Sequence, residues 1–159
     1  MTDSIDLNNL PNPDNILTYQ EFVSDVHINK INVKRLLLEA VIAPIDVSKY
    51  LSKDHQINIV LTHEFKDYIV NDTNTFTASG LVKVRAKINK DTIFIIEVEL
   101  IAEYDTTQIE KEITNNVYEA FIENNVPVNL WPYAREAIQS GSTKMGYPPL
   151  TIKPYRLII

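Results

Sequence analysis

Residues 75–103 read TFTASGLVKVRAKINKDTIFIIEVELIAE. Small and apolar residues hold every second position, Phe76, Ala78, Gly80, Val82, Val84, Ala86 and Ile88 on the way out and Phe94, Ile96, Val98, Leu100 and Ala102 on the way back. A period of two means that each stretch is a β-strand with one face toward a core. Asn89, Lys90 and Asp91 between them suit a short hairpin turn. Thr75, Thr77, Ser79, Lys83, Arg85 and Lys87 then face outward, as do Ile93, Ile95, Glu97, Glu99, Ile101 and Glu103. Pairing Ile88 with Thr92 brings Lys83 opposite Glu97 and Lys87 opposite Ile93, one charged cross-strand pair worth about 0.2 to 1 kcal/mol. The outward charges have two readings. They solvate a sheet face, or, because solvation does not call for three isoleucines among three glutamates, Glu97, Glu99 and Glu103 mark a surface where a partner docks.

The pattern extends upstream. Ile57, Ile59, Leu61 and Phe65 alternate with polar neighbours and place His63 on the buried side of another strand. Earlier still, Val26 and Ile28 are followed by Ile31 and Val33, so a strand running from Phe22 changes phase near Lys30. A one-residue slip turns every later side chain over unless a β-bulge or a bend absorbs it. Residues 1–18, rich in Asn, Asp and Pro without a sustained period, read as a flexible arm, and 19–159 as one domain.

Downstream the period lengthens. Ile109, Ile113, Val117, Ala120 and Phe121 stand at helical spacing, with Thr106 or Thr107 available as N-cap. Asn124, Asn125 and Pro127 end that helix. A second starts at Asn129, with Pro132 in its first turn and Leu130, Ala134, Ala137, Ile138, Gly141 and Met145 as its apolar stripe. Pro148, Pro149 and Pro154 keep residues 147–159 extended. Four strands followed by two helices, without alternation, give an α+β fold with a four-stranded antiparallel sheet.

Composition narrows the function. A chain of 159 residues, 45% hydrophobic, can bury a sizeable core in one domain. A formal charge of -6 opposes broad attraction to phosphate backbones, so nucleic acid is not an expected partner. The absence of cysteine excludes disulfides, thiolate metal sites and a thiol nucleophile. The acidic, polar start MTDSIDLNNLPNPDN lacks the charge and apolar stretch of a signal peptide. The most apolar run, Thr92 to Ala102, is interrupted by Glu97 and Glu99 and falls short of the ~20 residues that span a bilayer. A cytoplasmic protein without membrane contact is expected.

Catalytic motifs are absent. The three glycines, Gly80, Gly141 and Gly146, cannot build a Walker loop or a dinucleotide fingerprint. His27, His55 and His63 show no helical ligand spacing, so no metal or other cofactor is expected. Ser140-Gly141-Ser142 does not place glycine on both sides of a serine, as a nucleophile elbow requires. Glu97 and Glu99 share a strand face as two glycosidase acids could, but that spacing arises in almost any acidic strand.

One segment is distinctive. Leu130-Trp131-Pro132-Tyr133-Ala134-Arg135-Glu136, followed by Gly146-Tyr147-Pro148-Pro149-Leu150, resembles the signature of the SecB export-chaperone family, in which a helix opens with aromatic-Pro-aromatic-Ala-Arg and ends at a Gly-aromatic-Pro segment. Glu97-Val98-Glu99-Leu100 and the order of strands before helices are also similar, so the likeness covers roughly residues 22–153. The resemblance implies a non-enzymatic, ATP-independent holdase that binds unfolded polypeptide or preprotein and keeps it export-competent. It further implies a dimer of dimers, with Trp131, Tyr133, Ala134, Arg135 and Ile138 of the long helix at the oligomer interface.

The connection from Ala40 to Lys53 is unusually apolar for a loop. It folds over the core, or, as the resemblance implies, flanks a client groove through Val41, Ile42, Ile45, Tyr50 and Leu51, together with Tyr147, Leu150 and Ile152. Family members continue past the Pro-Pro-Leu segment into a further helix and a tail that contacts the SecA motor. Here Pro154-Tyr155-Arg156-Leu157 is followed by two isoleucines. That departure puts SecA engagement in question and favours a specialised variant, such as the chaperone of a toxin-antitoxin pair. A non-catalytic adaptor that binds one folded partner is the reading from a different class.

Overall fold

A computed structural model describes residues 13–50, 56–71 and 73–156. The central hairpin forms as its alternation requires. Strands β4 (Thr75–Ile88) and β5 (Asp91–Asp105) pair antiparallel, with Lys83 opposite Glu97 as expected. The register slips once near the turn, where Ala86 faces Phe94 but Lys87 faces Thr92. Ile93 is the extra residue, and the bulge turns it into the core beside Phe94. Its expected outward position is corrected accordingly, and Lys87 does not meet it.

Strand β1 (His27–Ala40) lines the free side of β5, and β2 (Ile57–Glu64) lines the free side of β4, giving the order β1-β5-β4-β2. A fifth strand missed by periodicity, β3 (Tyr68–Val70), pairs with the start of β4 just beyond β2. Three residues are too few to show a period. Phe65, in the break between β2 and β3, is buried against Gly80, where an added Cβ would collide with its ring. The phase change in β1 is absorbed by two bulges, at Asn29 and at Lys34.

The chain ahead of β1 is helical where a strand was expected. Thr18 and Glu21 form a capping box: Thr18 N–H donates to Glu21 Oε2 at 2.9 Å, and Glu21 N–H donates to Thr18 Oγ1 at 3.3 Å. This starts α1 (Tyr19–Asp25) and carries Phe22 into a cluster with Phe76, Tyr118 and Phe121. A specific local hydrogen-bond pair outweighs a few residues of alternation. Of the arm expected over 1–18, residues 1–12 lie outside the described part, whereas Leu17 is buried and donates its N–H to Glu112 O at 3.2 Å.

That contact also explains why the next helix begins late. Ile16 pairs with Glu112, which holds the chain after β5 extended, and Thr106 is tied to Asn74 O by both its N–H and its hydroxyl. Ile109 and Ile113 therefore pack on the core from an irregular segment, and α3 (Asn115–Asn124) starts at Thr114. Helix α4 (Val126–Lys144) follows with one residue between. It begins three residues before the expected Asn129, with Pro127 in its first turn, so Pro132 lies inside the helix. The missing N–H of Pro132 leaves Val128 C=O on the exposed side of the helix, where water can satisfy it.

Helices α1, α3 and α4 cover one face of β4 and β5. Leu130, Ala134, Ala137, Ile138 and Gly141 of α4 press onto the inward residues of both strands. No helix packs on the other face among the described residues. No helix among them is long and apolar enough to cross a membrane.

Candidate client-binding groove

The Ile93 bulge organises a groove at one end of the sheet. Val41 N–H and Ile42 N–H both donate to Ile93 O, at 2.8 and 3.0 Å, which fixes the exit of β1 over the hairpin. The following connection, expected to be a loop, contains a short helix, α2 (Pro44–Tyr50). From it Val47 is buried, while Ile45 points away from the chain with 80% of its surface exposed. The connection thus covers the core with one side chain and presents another to solvent. Val41 is exposed and Ile42 is half-buried. The Tyr50 side chain and Leu51 lie outside the described residues.

The opposite wall is the extended segment after α4. Gly146 sits at φ +89°, a left-handed conformation that favours glycine, and an added Cβ would meet Pro44 Cγ at 3.2 Å. Gly146 N–H donates to Thr143 O and Tyr147 N–H to Ser142 O, the paired bonds of a Schellman cap. The chain then runs back along the helix under three straps. Leu150 N–H donates to Ser142 Oγ at 2.9 Å, Arg135 Nε to Ile152 O at 3.0 Å, and Trp131 Nε1 to Lys153 O at 2.7 Å.

Between these walls is a cleft of about 470 Å³. Its apolar lining includes Ile57, Ile59, Phe94, Tyr147, Pro149 and Leu150. The Tyr147 ring packs on Phe94 with centroids 4.7 Å apart, and its hydroxyl donates to Ile42 O. Burial raises the Tyr147 pKa above its ordinary value, so the phenol stays a donor. Of the expected groove residues, Tyr147 and Leu150 line the cleft, Ile152 is buried beneath the strap, and Val41 and Ile45 are exposed outside the lining. Periodicity had placed Ile57 and Ile59 in the core. They remain 44% and 40% exposed because they lie on an edge strand, β2, which meets α4 at its other end, through His63 and Trp131.

The five residues assigned to an oligomer interface divide. Trp131, Ala134 and Ile138 are buried within the chain itself and Arg135 is spent on the strap, which leaves Tyr133 exposed. The three glutamates expected to dock a partner are engaged as well. Glu97 is ion-paired with Arg35 and Lys83, Glu99 with Lys34 and Arg35, and Glu103 Oε1 accepts from Asn29. These donors hold Glu97 and Glu99 below the usual carboxylate range, through Arg35 first for Glu97 and Lys34 first for Glu99. The bulge at Lys34 is what lets two consecutive cations reach the same glutamate.

His63, expected on the buried side, is exposed at the end of β2 yet touches the rings of Phe65, Trp131 and Tyr155. A second cleft, of about 540 Å³, opens there toward Glu119 and Glu123 of α3. No three His, Cys, Asp or Glu side chains converge as metal ligands among the described residues.

Comparison with known proteins agrees with this architecture. The family described as "Preprotein translocase subunit SecB" matches residues 20–156. A "Protein-export protein SecB" of Aromatoleum aromaticum is 33% identical over 129 residues, 80% of this chain and 75% of the relative. One of Methylobacillus flagellatus is 28% identical over 128 residues, with the same coverage of 80% and 75%. Among solved structures, a Mycobacterium tuberculosis SecB-like chaperone in complex with a ChAD peptide from the HigA1 antitoxin aligns with a TM-score of 0.72 at 17% identity, covering 86% of this chain and 95% of that one. That likeness concerns the fold. With the family pattern spanning most of the chain, and with sheet, long helix and strapped Pro-Pro-Leu segment in place, this chain belongs to the SecB family.

Proposed function

We propose that this protein is an ATP-independent holdase that binds non-native polypeptide without turnover and keeps preproteins competent for export. The observation that carries this reading is the open apolar cleft beside an edge strand. Ile57, Ile59, Phe94, Tyr147 and Leu150 offer contact area with little shape demand, as a chaperone with many clients needs. Beside them, β2 has an outer edge with no partner strand among the described residues. Its backbone N–H and C=O groups can pair with an extended segment whatever its sequence. Action on preproteins before export places the protein in the cytoplasm.

We also assign self-association to the other edge. Ile28, Val33 and Leu36 of β1 are exposed on the helix-covered side, and Val128 and Tyr133 of α4 are exposed too. A second copy meeting β1 would bury the strand residues and satisfy the edge of β1 that has no partner strand among the described residues. A dimer of dimers is the expected assembly. Trp131, Ala134 and Ile138 support such an interface from behind, by fixing α4 on the sheet.

Size-exclusion chromatography with light scattering, run with and without a reduced, unfolded model protein, tests both readings. A tetramer that co-elutes with the unfolded chain and ignores its folded form is expected. A monomer indifferent to both forms would remove them.

A further inference from the structure

The helix-free face of the sheet has a charge that the three glutamates on β5 conceal. Glu97 is shared by Arg35 and Lys83, at 3.0 and 3.4 Å, and Glu99 by Lys34 and Arg35, at 2.9 and 3.6 Å. The acids in the middle of this face are thus neutralised by its own strands. The cations nearer the β4–β5 turn are not. Arg85 lies between Val60 of β2 and Ile95 of β5, and Lys87 between Asn58 and Thr92, so neither has a carboxylate directly opposite on either neighbouring strand. Neither has an ion pair among the described residues. Val60, Thr62, Ile95, Lys83, Arg85 and Lys87 line a shallow depression of about 250 Å³, together with Glu97, whose carboxylate is already held by Arg35 and Lys83. Val60 is 47% exposed in its wall.

We infer that this depression is a docking site for an acidic, partly apolar segment of a partner polypeptide, with carboxylates against Arg85 and Lys87 and an aliphatic or aromatic side chain against Val60 and Ile95. The argument is charge complementarity. In a chain whose formal charge is -6, Arg85 and Lys87 stand two residues apart on one strand face without a carboxylate partner, beside exposed Val60 and half-buried Ile95, and an anionic segment gains there what the net charge of the chain opposes. A polypeptide fits better than nucleic acid, because the overall charge opposes a phosphate backbone and the floor is aliphatic, without an exposed aromatic for base stacking. This site lies on a different face from the client cleft, so it stands or falls apart from the holdase reading.

Fluorescence anisotropy decides it, using a labelled peptide of alternating Glu and Leu, the same peptide with Lys in place of Glu, and a labelled single-stranded oligonucleotide. The Glu peptide is expected to bind the wild type, to weaken at least tenfold in Arg85→Glu/Lys87→Glu, and to weaken as salt rises. Its binding should survive Ile59→Asp, which disrupts the client cleft alone. Should the charge-reversed chain fail to fold, Arg85→Gln/Lys87→Gln replaces it with a smaller loss in the same direction. Glu-peptide affinity untouched by these substitutions would overturn the proposal, as would preferred binding of the Lys peptide or of the oligonucleotide.

Discussion

Strands β5 and β2 carry the same alternation and meet different fates. Ile96, Val98 and Leu100 of β5 are inaccessible, whereas Ile57 and Ile59 of β2 stay 44% and 40% exposed. Both strands orient these apolar residues toward the helix-covered side, but α4 lies over β5 and meets β2 at the His63 end, leaving Ile57 and Ile59 uncovered by it. Alternation therefore tells which face a side chain joins. Whether that face is buried depends on what lies over it, and here the difference separates a core that stabilises from a rim available for binding.

The contrast breaks most visibly at the centre. Leu130→Ala, which removes an inaccessible side chain from the contact of α4 with the sheet, is expected to cost about 2 to 5 kcal/mol of stability. Chemical denaturation would show it as a lower midpoint with an unchanged slope. Gly80→Ala tests the same core by overfilling, since the new methyl must displace the Phe65 ring. A loss of about 1 to 3 kcal/mol is expected, and Gly80→Ala/Phe65→Leu should recover part of it.

At the rim the effect moves from stability to binding. Ile59→Asp should change the melting temperature little and weaken capture of an unfolded model protein by about tenfold, read by suppression of its aggregation at equal molar ratio. Full activity in this variant would remove the cleft from the client site. The smallest effect lies farther off, at Glu21. Lys111 first, with Thr18, lowers its pKa from 4.5 to about 2. The unfolded chain binds the proton more tightly, so the contribution of Glu21 is full above pH 4.5 and is lost as pH falls toward 2. Glu21→Gln should flatten the fall of melting temperature through that window, modestly, because the carboxylate is solvent-screened.

Much of the fold was legible in local pattern. The hairpin, its Lys83–Glu97 register and the irregularity near Lys30 follow from period-two alternation and its one lapse. The stripe Leu130, Ala134, Ala137, Ile138 and Gly141 follows from helical spacing. What escaped was set by contacts between distant segments. Ile109 and Ile113 stand at helical spacing but are held extended by the Ile16–Glu112 pairing, ninety-odd residues apart in sequence. The start of α4 at Val126 was obscured because Pro132 looked like a first-turn residue, although Pro127 fills that role.

The candidate site was legible in parts. Tyr147 and Leu150 could be named from the motif that carries the family likeness, and Phe94 is the core residue it was expected to be while also lining the cleft, yet Ile57 and Ile59 were assigned to the core, and Ile93 to the surface. Only the bulge reveals that Ile93 turns inward and offers its carbonyl to the end of β1. The glutamates of β5 were visible as an acidic row, while the cations of β1 that neutralise them come from a strand some sixty residues away.

Alone, the sequence determined the α+β class, the faces of the central strands, the apolar stripe of the long helix and the family signature, because each depends on residues close together in the chain. The tertiary structure decided which apolar residues remain exposed, which charges stay uncompensated and where the groove opens. Those properties arise from strand order, bulges and the reach of one helix over the sheet, and they exist only once segments remote in sequence have met.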